Sequence, residues 1–370
     1  MGQSQKALPH MVLCNKKLFL FLLVLVTVPL LYLTTTSCKP KDRVIYVSRS
    51  LKHNRSIACF RYKQNTLPDI STVEVKKGKS IFFHETSCSS YMNDKIIINS
   101  RQACAVESAA LMNPNFDVYL TFTSPGVFKF ENTESDRFLK ALMSYDNVRI
   151  NHLNYENYMK GTIVEELYSK GIIENSPYAL EHASDILRFL TLWKYGGIYL
   201  DLDVIVLKSF ETLPPNFTGC ETFFNLGAGI LGFGPSDEDG GHIMAAEILE
   251  DLKDNFNGSS WGFSGPGVVT RLALKHCKTN ETKILCGRIC DDYNIYKIEK
   301  FYPLAWSSWE KYFNEKDTKL TLKQTKDSHI IHMFNKLSYS RKIPLNSISA
   351  YTTFAKKYCP KVFQQCDTNF

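Results

Sequence analysis

Residues 184–207, reading SDILRFLTLWKYGGIYLDLDVIVL, constrain this chain more than any other stretch. Ile186, Leu187, Phe189, Leu190, Leu192 and Trp193 make a helical pattern that is apolar nearly all round, so this helix is expected to be buried. Gly196-Gly197 is expected to end it through the left-handed conformation that glycine accepts at a C-cap, turning the chain into a strand at 198–200. Four charges sit in this company: Asp185, Arg188, Asp201 and Asp203. Charged side chains are rarely buried unless they are paired or bind a metal. Asp185 and Arg188 are three apart and share a helix face. Asp201 and Asp203 share one side of an extended segment, at the carboxyl end of a strand, where open α/β sheets bind ligands. Two carboxylates so placed can hold one hard divalent cation, magnesium or manganese, together with a diphosphate. A structural ion pair at 185/188 and a solvated turn at 201–203 are the competing accounts.

The rest of the chain supplies an α/β setting. Strands are expected at 80–83 (SIFF), 117–122 (DVYLTF) and 148–150, and helices at 102–112, 135–144 and 155–168. Alternating strands and helices point to βαβ units and a mainly parallel central sheet covered on both faces. Beyond residue 207 the pattern is irregular. A strand-like segment lies within 225–234, a helix is expected at 242–252, and the loop 261–267 (WGFSGPG) leads into a helix at 268–276. No internal repeat and no linker divide the chain further, and 370 residues suffice for one large core.

The N-terminal region reads as a membrane anchor. Residues 18–33 (LFLFLLVLVTVPLLYL) are apolar almost throughout and reach spanning length if 34–37 are included. A cleaved signal peptide is the rival account, but the run exceeds a usual h-region and TTTSCKPK lacks a small-x-small cleavage site. The expected order is a cytosolic tail at 1–17, a signal anchor at 18–37, a polar stem at 38–79 and a lumenal catalytic domain at 80–370. Sequons at Asn54, Asn216, Asn257 and Asn280 favour an extracytosolic location. So do abundant cysteines, whose local clusters Cys277/Cys286/Cys290 and Cys359/Cys366 read as disulfide staples rather than zinc ligands. The net charge of +7 is spread out, with no basic helix, which argues against a nucleic-acid partner.

Six segments carry a resemblance. Residues 184–208, with 83–86 (FHET), 104–110 (CAVESAA), 262–271 (GFSGPGVVTR), 301–309 (FYPLAWSSW) and 332–338 (HMFNKLS), are similar, in the same order, to segments of the DXD-containing α1,4-glycosyltransferases. The resemblance spans 80–360. It implies a GT-A-like nucleotide-sugar-binding fold, a UDP-sugar donor, Mn2+ (or Mg2+), retention of anomeric configuration, and a Golgi type II membrane enzyme. The implied reaction moves an α-linked hexose, galactose first, from UDP to a terminal galactose-type residue of a glycosphingolipid through an α1,4 linkage. Transfer of N-acetylgalactosamine or N-acetylglucosamine, and a catalytically silent carbohydrate-binding protein on the same scaffold, stay open. A homo-oligomer is compatible with it.

By position, the resemblance implies that Asp201, Asp203 and His332 hold the metal, and that Asp203, Asp201 and Arg188 serve catalysis. It implies donor-sugar contacts from Asp185, Arg188, Asn225 and Gly265, and acceptor stacking by Trp306 and Trp309. His332 beside Ile330 and Ile331 also fits a core histidine, and both tryptophans fit an aromatic core. Phe334 stands where members often have Trp, Leu202 fills the middle of the DXD, and Asn225-Leu226-Gly227 replaces Leu-Asn-Gly. No nucleophile stands out, so a covalent intermediate and front-face attack both remain.

Overall fold

The computed structural model describes residues 57–62, 64 and 66–370. The expected tail, the anchor and the stem as far as residue 56 lie outside the described residues. Among the described residues no helix is long and apolar enough to cross a membrane.

The βα alternation begins with β1 (Ser80–Glu85), α1 (Ser100–Met112), β2 (Asp117–Phe122), α2 (Glu134–Met143) and β3 (Val148–His152). Local signals set these boundaries. Asn99 and Gln102 form a capping box at the start of α1, and Thr133 and Asp136 do so for α2. The central stretch follows as α3 (Ala179–Tyr195), β4 (Gly197–Leu200) and β5 (Val204–Val206). Next come β6 (Phe217–Gly219), β7 (Ile230–Phe233), α4 (Gly241–Asn255), α5 (Val268–His276), β8 (Ile289–Cys290), β9 (Tyr293–Tyr296), β10 (Ile330–His332) and α6 (Ala350–Tyr358).

The main sheet runs β3-β2-β1-β4-β7-β6-β9-β8. Its first half, β3-β2-β1-β4, is parallel as expected, and so is the β6–β9 pair. The sheet is therefore mostly parallel, as expected, but mixed: β4–β7, β6–β7 and β8–β9 change direction and are antiparallel. Loop length explains the change. Only residues 220–229 separate β6 from β7, and Asp291-Asp292 alone join β8 to β9, whereas a parallel crossover needs a dozen or more residues. Side chains of β1 alternate between two cores. Ile81 and Phe83 meet α1, α2 and α6 on one face, while Phe82 meets α3, α4 and α5 on the other.

Two local expectations are corrected, and the disulfide connectivity, which the sequence leaves open, is resolved. The helix expected over 155–168 splits into Tyr155–Met159 and Glu165–Ser169, with Gly161 between them at φ 71°. The end of the expected stem is part of the folded unit: Ile57, Cys59, Phe60 and Ile70 are buried. Cys59 is bonded to Cys88, which ties this segment to the loop after β1. Cys359 pairs with Cys104 on α1 rather than with Cys366, which is a buried free thiol. The Cys277 cluster divides into Cys277–Cys290 and Cys220–Cys286.

The Cys104–Cys359 bond works beside a buried carboxylate. Glu107 accepts from the backbone N–H groups of Lys361 at 2.8 Å and Val362 at 2.7 Å, and from the Tyr145 hydroxyl at 2.5 Å. The two N–H groups are free first-turn donors of the helix Pro360–Gln364. Glu107→Ala leaves three polar groups without an acceptor, and each such loss costs about 1–3 kcal/mol. A fall of about 3 kcal/mol or more in urea-unfolding stability is expected; a fall below about 1 kcal/mol would mean water replaces the carboxylate.

Candidate functional site

The site is built where α3 turns into β4. Gly196 has φ 62° and ψ −163°, so the helix ends not in the expected left-handed helical conformation but in a region open almost solely to glycine. A Cβ at Gly197 would meet the Ser80 carbonyl oxygen on β1. The double glycine therefore lets β4 pack against β1, and it delivers the chain to Asp201 immediately after Leu200. Asp201-Leu202-Asp203 forms the turn between β4 and β5 rather than part of a strand. Leu202 packs against the core on the α1 side, whereas the two aspartates are half-buried and outside it.

Arg188 joins what the sequence presents as two separate pairs. Its guanidinium lies 3.0 Å from Asp185 Oδ1 and 3.4 Å from Asp201 Oδ1, and it donates to the Ala228 carbonyl at 2.7 Å. Ser264 donates to Asp185 Oδ2 at 2.9 Å, and Tyr199 donates to Asp201 Oδ1 at 2.8 Å. The Arg188 guanidinium also lies over the Tyr199 ring. On the other flank, His332 Nε2 is 3.6 Å from Asp201 Oδ2 and 3.3 Å from Asp203 Oδ1. Asp203 Oδ2 accepts from the Asn335 backbone N–H at 2.6 Å. The result is a continuous row, Ser264–Asp185–Arg188–Asp201–His332–Asp203–Asn335.

Tertiary pairing places His332. It ends β10, which runs antiparallel to β5 with His332 opposite Val204. Burial alone would lower the His332 pKa, but Asp203 and Asp201 overcome it and raise the imidazole above its usual range. Burial would likewise raise Asp201, but Arg188 and His332 hold it well below the usual carboxylate range. Asp185 moves upward through burial despite Arg188 and Ser264. Arg188 stays firmly protonated because the carboxylates outweigh its own burial.

Asp201, Asp203 and His332 form the one group of potential metal ligands among the described residues, each offering an atom within 4.8 Å of the others. Two carboxylates and an imidazole suit a divalent cation. Gly229 keeps room beside them, since a Cβ there would lie 2.9 Å from both Asp201 Oδ2 and His332 Nε2. The donor set and the space therefore fit a divalent ion. A cation at Nε2 must displace the proton the histidine carries, so ion binding is coupled to proton release.

Other sequence candidates divide. Gly265 belongs to the row, because a Cβ there would stand 2.8 Å from the Asp185 carboxylate. Asn225 does not contact the row and instead bonds within its own hairpin to Glu221. Trp309 is partly buried, packed against the core beside Phe313, whereas Trp306 is exposed and makes no ring contact with the row among the described residues. Sequence reasoning missed Tyr199, Ser264, Tyr302 and Asn335. Tyr199 was legible as the residue two before Asp201, on the strand that leads into the turn. The Asn335 contribution is a backbone amide, which no residue type announces.

Glu85, at the carboxyl end of β1, is buried, which pushes its carboxyl up to about 7 despite hydrogen bonds from Ser87. The folded state thus binds this proton more tightly than the unfolded chain does. Its stabilising contribution is full below pH ~4.5 and is lost as pH rises towards ~7. Glu85→Gln should flatten the decline in thermal stability between pH 5 and 8 and leave the variant more stable than wild type at pH 8. An unchanged slope would show that Glu85 ionises normally.

Comparison with known proteins agrees with this geometry. Residues 99–219 match the glycosyltransferase sugar-binding region containing a DXD motif, and residues 237–366 match the alpha 1,4-glycosyltransferase conserved region. The lactosylceramide 4-alpha-galactosyltransferase of Mus musculus is 30% identical over 295 residues, covering 79% of this chain and 77% of that protein. The Homo sapiens protein of the same name is 30% identical over 284 residues, covering 76% and 75%. The alpha-1,4-N-acetylglucosaminyltransferase of Homo sapiens is 27% identical over 266 residues, covering 71% and 75%. The first matched region supplies Asp185, Arg188, Asp201 and Asp203, the second supplies Ser264, Gly265 and His332, and the chain belongs to the DXD-containing α1,4-glycosyltransferase family.

Proposed function

We propose that this protein is a retaining, GT-A-like α1,4-hexosyltransferase that moves galactose from UDP-galactose to a terminal galactose-type residue of a glycosphingolipid. The observation that carries the reading is the Asp201–Asp203–His332 cluster, assembled from the two family regions beside a buried Asp185–Arg188 pair. Asp201, Asp203 and His332 would hold a divalent cation, Mn2+ first, which would supply positive charge against the departing UDP diphosphate. Arg188 is already engaged by two carboxylates and the Ala228 carbonyl. Its role is therefore to hold Asp201 and Asp185 in register rather than to reach the diphosphate itself. Asp185, kept in place by Ser264 and Arg188, presents a carboxylate to hydroxyls of the donor sugar, and the bare Gly265 lets its loop close on that carboxylate. The completeness of this set favours an enzyme over a silent sugar-binding scaffold.

The proposed location is the Golgi membrane, single-pass and type II, with the catalytic unit lumenal. The four disulfides among the described residues support an oxidising compartment. An N-acetylglucosamine donor is the second reading, favoured by the 27% match to an alpha-1,4-N-acetylglucosaminyltransferase. The deciding experiment offers the full-length protein in detergent a panel of UDP-galactose, UDP-N-acetylgalactosamine and UDP-N-acetylglucosamine against lactosylceramide, with and without Mn2+. Galactose transfer that stops in chelator is expected; preference for an N-acetylhexosamine donor would select the second reading.

A further inference from the structure

The hairpin between β6 and β7 has no place in the row described above, yet its base rests against it. Cys220 bridges to Leu226, the Gly227 N–H donates to the Gly219 carbonyl at 2.9 Å, and the Cys220–Cys286 disulfide anchors one arm. A Cβ at Gly227 would meet the Tyr302 hydroxyl. That hydroxyl accepts from the Gly229 N–H at 3.2 Å, and the Tyr302 ring lies 5.6 Å from that of His332. Two bare glycines thus bring the hairpin against Tyr302 and the cluster. At its tip, Phe223 and Phe224 are 60% and 67% exposed, although large aromatic rings are usually covered.

Glu221 stands at the base of this tip, half-buried. The Asn225 side-chain amide donates to its Oε2 at 3.2 Å, and the N–H groups of Glu221 and Thr222 both donate to the Asn225 carbonyl. Glu221 follows Cys220 directly in the hairpin that Gly227 seats against Tyr302, whose ring neighbours His332. The carboxylates around the cluster are otherwise committed. Asp185 and Asp201 are paired with Arg188, and Asp203 with His332 and Asn335. Among the described residues, Glu221 has no ion pair, and its Oε1 has no hydrogen-bond partner.

We propose that Glu221 is the acceptor-recognition carboxylate of this enzyme, with Asn225 positioning it and Phe223 and Phe224 bordering the same subsite. The inference rests on the transferase reading and extends it to the second substrate. An unpaired carboxylate repels a diphosphate but suits a neutral polyol, because its oxygens act only as acceptors and sugar hydroxyls donate. Aromatic rings beside it offer a surface for the apolar C–H face of a hexose. The donor hydroxyls have Asp185, so the substrate left for Glu221 is the sugar that receives the hexose. Asn225 keeps a part in the site in this way, through Glu221 and not through the donor.

The test separates the two substrates. Full-length wild type, Glu221→Gln, Glu221→Ala and Asn225→Ala are compared in three measurements. These are metal-dependent UDP-galactose hydrolysis without acceptor, transfer to lactosylceramide, and saturation-transfer NMR with free lactose. Both Glu221 variants are expected to hydrolyse donor within about 3-fold of wild type. Their kcat/KM for acceptor should fall by about 10- to 100-fold, mainly through KM, the size expected for loss of a hydrogen bond to a charged group. The lactose signal should fade with it, and Asn225→Ala should show a smaller change in the same sense. An unchanged acceptor KM, or hydrolysis falling in parallel with transfer, overturns the proposal. If wild type binds lactose, Glu221→Ala does not, and neither turns over any UDP-hexose, then the recognition role stands and the transferase reading falls.

Discussion

Replacing Asp203 by asparagine in the full-length protein is expected to cut transfer from a UDP-hexose by about 10³-fold, comparable to removing one group that stabilises developing charge at a reaction centre. Asp203 faces His332 Nε2 through Oδ1 and accepts the Asn335 N–H through Oδ2. An asparagine retains the shape and can still accept from Asn335, but it removes one negative charge from the proposed ion site. Folding should therefore change little, within about 1 kcal/mol, while the concentration of Mn2+ needed for half-maximal activity rises steeply. Thermal unfolding and a metal titration of UDP-galactose hydrolysis check the two halves. Wild-type turnover in this variant, or in excess chelator, would remove the basis for a cation-assisted reaction.

Arg188→Met carries the second large expectation, and it concerns stability as well as activity. The arginine is buried between Asp185 and Asp201 and donates to the Ala228 carbonyl. Removing one partner of a buried ion pair leaves its carboxylates uncompensated, at about 3–5 kcal/mol. Methionine fills much of the volume, so the loss reports charge rather than a cavity. Urea unfolding should show the full effect, and donor hydrolysis should be lost even where the protein remains folded. A double variant, Asp185→Asn with Arg188→Met, should regain part of the stability, because neighbouring charges couple. If Arg188→Met alone unfolds like wild type, the row is not an electrostatic unit.

Much of this site was legible before folding was considered. Four charges in an apolar stretch announced that they needed partners, and the double glycine marked where helix gives way to strand. Asp201 and Asp203 lie together even though they occupy a turn, because a tight turn keeps neighbouring carboxylates together as well as a strand would. The grouping was less accurate. Spacing paired Asp185 with Arg188 and Asp201 with Asp203, while the structure makes Arg188 the link between them. A guanidinium with five donors can serve both carboxylates and a carbonyl at once, and only the packing of α3 against β4 shows that it does so. Asn225, expected at the donor sugar, has a partner that spacing does not show: its side-chain amide donates to Glu221.

By itself the sequence determined the elements whose causes are local. The capping boxes at Asn99 and Thr133 act within three residues. The periodicity of α3 acts within four, and the glycines at 196 and 197 act through their own backbone angles. Tertiary structure alone decided which distant segments meet. His332 reaches Asp203 because β10 hydrogen-bonds to β5 across more than a hundred residues, and Asn335 contributes only an amide. Cys359 chose Cys104 over the nearby Cys366 because the C-terminal helices pack on α1. Such pairings rest on backbone groups and shape, which are common to every residue type, and a linear pattern of side chains carries little record of them.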